Sequence, residues 1–242
     1  MNSRSDHVAG LTPKSLRRMR DRARAFEVLR SRGWFSRINK KMQAALEAES
    51  RLVHARCGEQ IFHVGDPGAG LFGIVEGSIL LSFPREDGVL VPFSPFGTGY
   101  WLGDLAALSG KPGMVSIDVR ADVTAVNVPA QRVRRLVKKN PEFYKSFYEL
   151  NRQNLKVALR LLLALTGESA EQRIALRLRV MADYSVRTDG WVDITNQEMA
   201  AQTGLSVPTV QRAVSRLVKC GFLERGYSRI RILDSEAYPK SG

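Results

Sequence analysis

From position 194 to 221 the chain reads I-T-N-Q-E-M-A-A-Q-T-G-L-S-V-P-T-V-Q-R-A-V-S-R-L-V-K-C-G, a spacing that admits little besides two helices crossing through a tight turn. The first helix, residues 197–203, presents Met199, Ala200 and Thr203 on one face. Ala200 is small enough to let a second helix approach, and Gly204 can take the positive φ of the turn. Ser206 is a good N-cap, and Pro208 falls in the first turn, where a missing N–H costs little. The second helix repeats apolar residues at Val210, Val214, Leu217 and Val218, a 3.6-residue period. Its other face carries Thr209, Gln211, Arg212, Ser215, Arg216 and Lys219. One face held by a core and one offering base- and phosphate-reading groups is the pattern of a recognition helix. The plainer reading is a helical hairpin with a solvated basic face. The pattern favours a duplex-DNA binder.

The residues downstream strengthen that reading. Residues 222–225, a turn at Gly226-Tyr227-Ser228, and residues 229–233 predict a hairpin, with 191–194 as a third strand. A helix-turn-helix flanked in this way is winged. Between 194 and 233 there are six Lys/Arg against two Asp/Glu, suited to phosphate contacts.

Charge is distributed unevenly. Of a net +13, residues 1–56 hold 14 basic and 5 acidic groups, residues 57–139 hold 8 of each, and residues 140–242 hold 15 and 11. A neutral middle between basic ends suggests a sensing part between parts that meet an anionic partner. No apolar run approaches the ~20 residues of a membrane span, and no secretory signal is visible. A cytoplasmic location without membrane contact is expected. Cys57 and Cys220 cannot supply a disulfide framework or a four-cysteine cluster.

The neutral middle carries twelve of the twenty glycines between short β-rich runs at 61–64, 71–75, 79–83, 89–93, 115–119 and 123–128. Such runs predict an antiparallel roll or barrel. A short helix at 129–139 and a longer one from Asn140-Pro141 to about Thr166 come after them. On the longer helix Phe147, Leu150, Asn154, Val157, Leu161 and Ala164 keep coiled-coil spacing. A second stripe, Tyr148, Leu155, Ala158, Leu162 and Leu165, lies beside it. One stripe can dock on the β part while the other meets a twin subunit; burial in a monomer core is the alternative. Gly167 breaks the helix and Ser169 caps the next, residues 170–182. At the N-terminus Thr12-Pro13 starts a helix in which Leu16, Met19, Ala23, Phe26 and Leu29 keep spacing until Gly33. Arg17, Arg18, Arg20, Arg22 and Arg24 crowd its first half. It reads as a solvated basic helix packed on the body, or as an arm for DNA or a membrane surface.

The fold class is therefore α+β: a basic helical extension at 1–33, a β-roll effector domain at 34–139, a dimerisation helix and hinge at 140–167, and a winged helix-turn-helix at 168–242. In this order the parts resemble the Crp–Fnr superfamily of bacterial transcription regulators. One match is Gly58-Glu59-Gln60-Ile61-Phe62-His63-Val64-Gly65-Asp66-Pro67-Gly68 with Leu71-Phe72-Gly73-Ile74-Val75-Glu76-Gly77, similar to the opening of the family's cyclic-nucleotide-binding-type roll. The helix-turn-helix is the other. The resemblance implies a homodimer on a palindromic DNA site, a small-molecule effector, and RNA polymerase as a candidate partner. DNA contacts fall to Gln197, Ser206, Val207, Pro208, Thr209, Gln211, Arg212, Ser215, Arg216 and Lys219. Relatives usually carry a charged or polar residue where Val207 and Pro208 stand, so the half-site is expected to differ from theirs.

The effector part matches less well. In the family's cyclic-nucleotide binders, the loop corresponding to Gly103-Asp104-Leu105-Ala106-Ala107-Leu108 cradles a phosphate and holds a ribose with its acidic residue. An arginine before a small hydroxyl residue then pairs the phosphate; here that place reads Met114-Val115-Ser116. Arg120 falls in the next strand and Lys111 on the connecting turn. Ungapped counting along the long helix puts Ala158 and Leu159 where cyclic AMP receptors place hydroxyls. Losing a charge-assisted phosphate contact costs about 1.5–3 kcal/mol. The expected pocket, Gly103, Asp104, Leu105, Ala106, Val115, Ser116, Ala158 and Leu159, is thus not one for cyclic AMP. A cyclic-nucleotide-responsive regulator and an effector-independent or architectural DNA-binding protein remain as alternatives.

No metal or cofactor is expected. No cysteine precedes Cys57, so the family's N-terminal iron–sulfur cluster has no ligands, and His54, Cys57 and His63 alternate on a strand and read as structural. Phe93, Phe96, Tyr100 and Trp101 read as core, with the lining of an apolar pocket as the alternative. Three scattered histidines, no phosphate-loop lysine and no nucleophile elbow speak against an enzyme.

Overall fold

The computed structural model describes residues 13–68, 70–184 and 189–233, with side chains from Arg20 onward. Its order opens with α1 (Pro13–Ser31), a 3-10 turn (Phe35–Arg37) and α2 (Lys40–Glu49). The strands β1 (Arg51–Ala55), β2 (Gln60–Phe62), β3 (Leu71–Pro84), β4 (Leu90–Phe96), β5 (Trp101–Leu102) and β6 (Ser116–Val128) form one antiparallel sheet, with α3 (Asp104–Ser109) between the last two. Along it the order is β1-β6-β3-β4, with β2 also pairing β6 and β5 pairing β3.

The runs at 71–75 and 79–83 are one strand, and so are those at 115–119 and 123–128. The β3–β6 ladder slips register at Glu76, Ser78 and Ile79 and resumes, so each strand bends without ending. Gly77 permits this. It holds φ +88°, and a Cβ there would sit 2.1 Å from the Asp122 carbonyl oxygen. β1, which the sequence pattern does not single out, borders β6 over five residues from Arg51 to Ala55.

Helix α4 (Ala130–Lys139) leads into α5 (Phe143–Leu165). The inward row of α5, including Phe147, Leu150, Val157, Leu161 and Ala164, is buried. Its first half joins a core with Phe26, Leu29, Trp34, Phe35 and Met42, and its second half joins the sheet interior with Phe96, Tyr100 and Ile117. Each such side chain contributes about 1.5–3 kcal/mol by leaving water. Tyr148, Leu155, Leu162 and Leu165, all on the second predicted stripe, stay exposed. On α1, Phe26 and Leu29 are buried while Ala23 is exposed. Leu16, Met19, Arg17 and Arg18 lie outside the described side chains.

The last part comprises α6 (Ala170–Asp183), β7 (Trp191–Asp193), α7 (Asn196–Thr203), α8 (Val207–Lys219), β8 (Leu223–Gly226) and β9 (Arg229–Ile232). Ser169 caps α6 by accepting from the Gln172 N–H at 3.1 Å. The three strands pair β7-β9-β8, giving the expected wing. Ile174, Leu178, Met199, Val210, Val214, Leu217, Phe222 and Ile230 form its core.

Candidate nucleic-acid interface and effector cavity

Helix α7 starts on a capping box. The Thr195 hydroxyl accepts from the Glu198 N–H, and the Glu198 carboxylate accepts from the Thr195 N–H at 2.9 Å. It ends at Gly204, φ 67°, and Ser206 then caps α8 while Pro208 sits in its first turn. The buried face of α8 is Val210, Ala213, Val214 and Leu217. Val218, predicted as core, is 37% exposed. Its place on the wheel lies past the contact with α6, and Ala213 fills the close approach between the two helices.

Gln211, Arg212, Ser215, Arg216 and Lys219 line one shallow surface along the outer face of α8. Ser206 and Thr209 share a hydroxyl–hydroxyl bond of 2.8 Å, and Arg212 donates to the Thr209 hydroxyl at 3.3 Å. This row holds the guanidinium over the first turns of the helix. Arg216 is tethered to Glu171 at 2.9 Å. A groove of about 370 Å³ separates the start of α8 from the wing, lined by Gln197, Val207, Gln211, Arg225 and Tyr227 among others. Pro208 is exposed beside it. All ten residues expected to contact DNA thus lie on or border one face. Within the wing, Arg229 and Arg231 lie over the Trp191 ring at 4.5 and 5.1 Å, while Tyr227 at the tip is 97% exposed.

The second site is a cavity of about 550 Å³ between the sheet and α3. Gly103, Asp104, Leu105, Ala106 and Val115 line it, together with Phe62, Phe72, Leu81, Leu102, Met114 and Ile117. Three expected members do not. Ser116 points to the other side of β6, where its buried hydroxyl accepts from the Val64 N–H at 3.1 Å. Leu159 is 51% exposed on the outer face of α5, and Ala158 lies beside it; the residues facing inward at that height are Val157 and Leu161. Ungapped counting fixes neither the depth nor the rotation of a helix.

Where a phosphate loop is expected, residues 104–109 form helix α3. Around the Asp104 carboxylate lie its own N–H, that of Leu105, and the Asn151 and Asn154 side chains, all of which favour its charged form. Burial pushes the Asp104 carboxyl up to about 6, against the opposing pull of these neighbours. Asn154, expected only as a member of the apolar row, is the polar group that the sequence reading missed; an amide within such a row is the signal that marks it. Lys111 lies at the cavity rim and Arg120 pairs with Glu198 on α7. Neither stands in for the missing arginine at the inner end.

Phe96, Tyr100 and Trp101 are core: Trp101 stacks on Phe35 at 5.3 Å and Phe96 on Tyr100 at 4.0 Å. Phe93 packs at the edge of that core. His54 meets the Thr124 hydroxyl and His63 the Val64 carbonyl; among the described residues no group of three or more potential metal ligands occurs. No helix among them is long and apolar enough to cross a membrane.

Residues 52–140 match the family model of the cyclic nucleotide-binding domain, and residues 159–237 match that of the Crp-like helix-turn-helix domain. The chain belongs to the Crp–Fnr superfamily. It is 24% identical over 215 residues to the CRP-like cAMP-activated global transcriptional regulator of Mycobacterium tuberculosis, covering 87% of this chain and 96% of that one. It is 26% identical over 191 residues to the nitrogen fixation regulation protein FixK of Bradyrhizobium diazoefficiens, covering 76% and 78%. The solved structure of FixK2 from Bradyrhizobium japonicum shares its fold, with a TM-score of 0.65 at 19% identity over 76% of this chain and 93% of that one. As a Crp–Fnr member the chain is a transcription regulator built from a cyclic-nucleotide-binding-type domain and a helix-turn-helix.

Proposed function

We propose that this Crp–Fnr regulator acts as a homodimer on a two-fold symmetric DNA site and that its effector is not cyclic AMP. The division at 1–33, 34–139, 140–167 and 168–242 assigns extension, sensing, dimerisation and DNA binding in turn. The single observation carrying the DNA reading is α8, with a buried apolar face against α6 and a solvent face of Thr209, Gln211, Arg212, Ser215, Arg216 and Lys219. Arg212 is the base reader, its fork suited to the two acceptors of a guanine in the major groove. Gln211 reads beside it, while Ser206, Thr209 and Gln197 engage phosphates. The exposed stripe of α5 supports dimerisation, because two recognition helices must sit about one DNA turn apart.

The case against cyclic AMP rests on the cavity lining, where, among the described residues, a phosphate would meet no arginine. A buried anion without a cationic partner lacks the pairing that burial demands. Calorimetry with the full chain tests this: no binding of cyclic AMP in the micromolar range is expected. A micromolar dissociation constant with a matching gain in DNA affinity contradicts it. Dimerisation is tested by sedimentation with and without duplex, where two chains per site are expected and one chain per site contradicts it.

A further inference from the structure

The walls of the cavity beneath α3 are hydrocarbon. Phe62, Phe72, Leu81, Leu102, Val115 and Ile117 come from four strands and the turn before the last of them, and Leu105 with Met114 closes the outer side. At about 550 Å³ the space is in the range that holds a drug-sized molecule. Its polarity is concentrated at one end, where Asp104 and Asn154 meet below α5.

That end offers acceptors. Asn154 donates through Nδ2 to the Trp101 carbonyl at 3.2 Å, and its side chain lies beside Asp104. Its Oδ1 is closed off from solvent and has no partner. Asp104 is buried, 4% exposed, and its carboxylate carries further acceptor capacity. Among the described residues of the lining the one cation is Lys111, on the exposed turn at the rim. A buried acceptor without a partner is filled by a donor from a ligand or from water. An anionic group placed there would face a carboxylate across a low-dielectric gap.

We infer that the cavity binds a mainly apolar small molecule whose head group is a hydrogen-bond donor without negative charge, a hydroxyl or an ammonium, seated on Asp104 and the Asn154 carbonyl oxygen. This rests on reading the β domain as the effector domain and names the chemistry that the domain senses. The body of the ligand replaces water along the phenylalanine and leucine walls, and the head satisfies the orphaned oxygen. Selectivity against anions comes from Asp104, whose carboxylate repels a second negative charge in a buried site.

The test uses three probes of one hydrocarbon skeleton: 4-phenylbutanol, 4-phenylbutylamine and 4-phenylbutanoate, titrated into the full chain by calorimetry beside cyclic AMP. The alcohol and the amine are expected to bind at least about tenfold more tightly than the carboxylate. Val115→Trp, which fills the cavity, abolishes binding of both while DNA affinity without probe is kept. Asn154→Leu shrinks the preference for the alcohol over the carboxylate. Tighter binding of 4-phenylbutanoate or cyclic AMP than of the alcohol overturns the inference, as does a failure of all three probes to bind at millimolar concentration. Duplex affinity measured with and without 4-phenylbutanol separates the two levels. Binding without any change in DNA affinity upholds the ligand class and overturns the effector reading, whereas a DNA response to cyclic AMP alone overturns the ligand class and keeps the regulator.

Discussion

The guanidinium of Arg177 on α6 donates to the carbonyl of Phe93 on β4, so that a buried charge of the winged part is fastened to the backbone of the β part. The same group donates to the Gln202 carbonyl of α7 at 2.8 and 2.7 Å. Burial lowers its pKa to about 10, well above neutrality, so it stays charged. Nearby, Arg120 pairs with Glu198, and the Gly97 N–H donates to the Tyr184 carbonyl at 3.0 Å. The Tyr184 ring meets Phe96 and Tyr100 edge-on at 5.5 and 5.4 Å, and Tyr100 leads directly into Leu102, Gly103 and Asp104 of the cavity wall. Cavity and helix-turn-helix are therefore joined by one run of packed side chains.

Replacing Arg177 by methionine leaves the Phe93 carbonyl and the Gln202 amide without that donor. A loss of about 1–3 kcal/mol is expected, the cost of buried groups left unpaired. Thermal unfolding should show it, with the β part and the winged part separating into two transitions. An unchanged single transition would show that the two parts are held together by other contacts.

Asp104 gives a pH dependence whose sign is fixed. Its carboxyl is raised from 3.8 to about 6, so the folded chain holds a proton that the unfolded chain has released. Its contribution to stability is therefore fully present below pH 3.8 and is lost as pH rises through about 6. The difference amounts to about 3 kcal/mol. Asp104→Asn should remove this dependence, so that urea unfolding of variant and parent diverges between pH 4 and pH 7. Parallel pH profiles for the two would sink the assignment.

Dimerisation should fail when the exposed stripe of α5 is charged. Leu155→Glu or Leu162→Glu places a carboxylate where a twin helix is expected, while the inward row of α5 is untouched. Sedimentation is expected to show monomers that keep the parent's helical content. Dimers that persist when both substitutions are combined would move the interface elsewhere.

Arg212→Ala is expected to cost about 1–3 kcal/mol in DNA binding and to relax sequence preference at one position of each half-site. Lys219→Ala, at the end of the same face, should weaken all sequences alike and flatten the salt dependence. An Arg212→Ala protein with unchanged site preference would exclude the guanidinium as a reader.

What could be read from the sequence was what local rules govern. Thr203, Gly204, Ser206 and Pro208 specify a turn by caps and backbone freedom alone, so the recognition helix was legible to within a residue, apart from Val218. The inward and outward rows of α5 came from period for the same reason. The continuity of β3 and β6 was hidden, because a bulge at Gly77 reads like a turn until its partner strand is present. Ser116, Ala158 and Leu159 were misplaced relative to the cavity because strand side and helix depth are set by tertiary packing. The charge logic at Met114-Val115 was visible at once, whereas the burial of Asp104 beside Asn154 needed the geometry of α3 and α5.

Sequence-specific recognition by a symmetric pair of α8 helices distinguishes such a regulator from a protein that binds any duplex. Selection of bound duplexes from a random pool by the full-length protein tests it most directly. The account predicts enrichment of a two-fold symmetric sequence, with half-sites about one helical turn apart, and loss of one specified base per half-site when Arg212→Ala is used. Binding that falls with salt and enriches no sequence would contradict it.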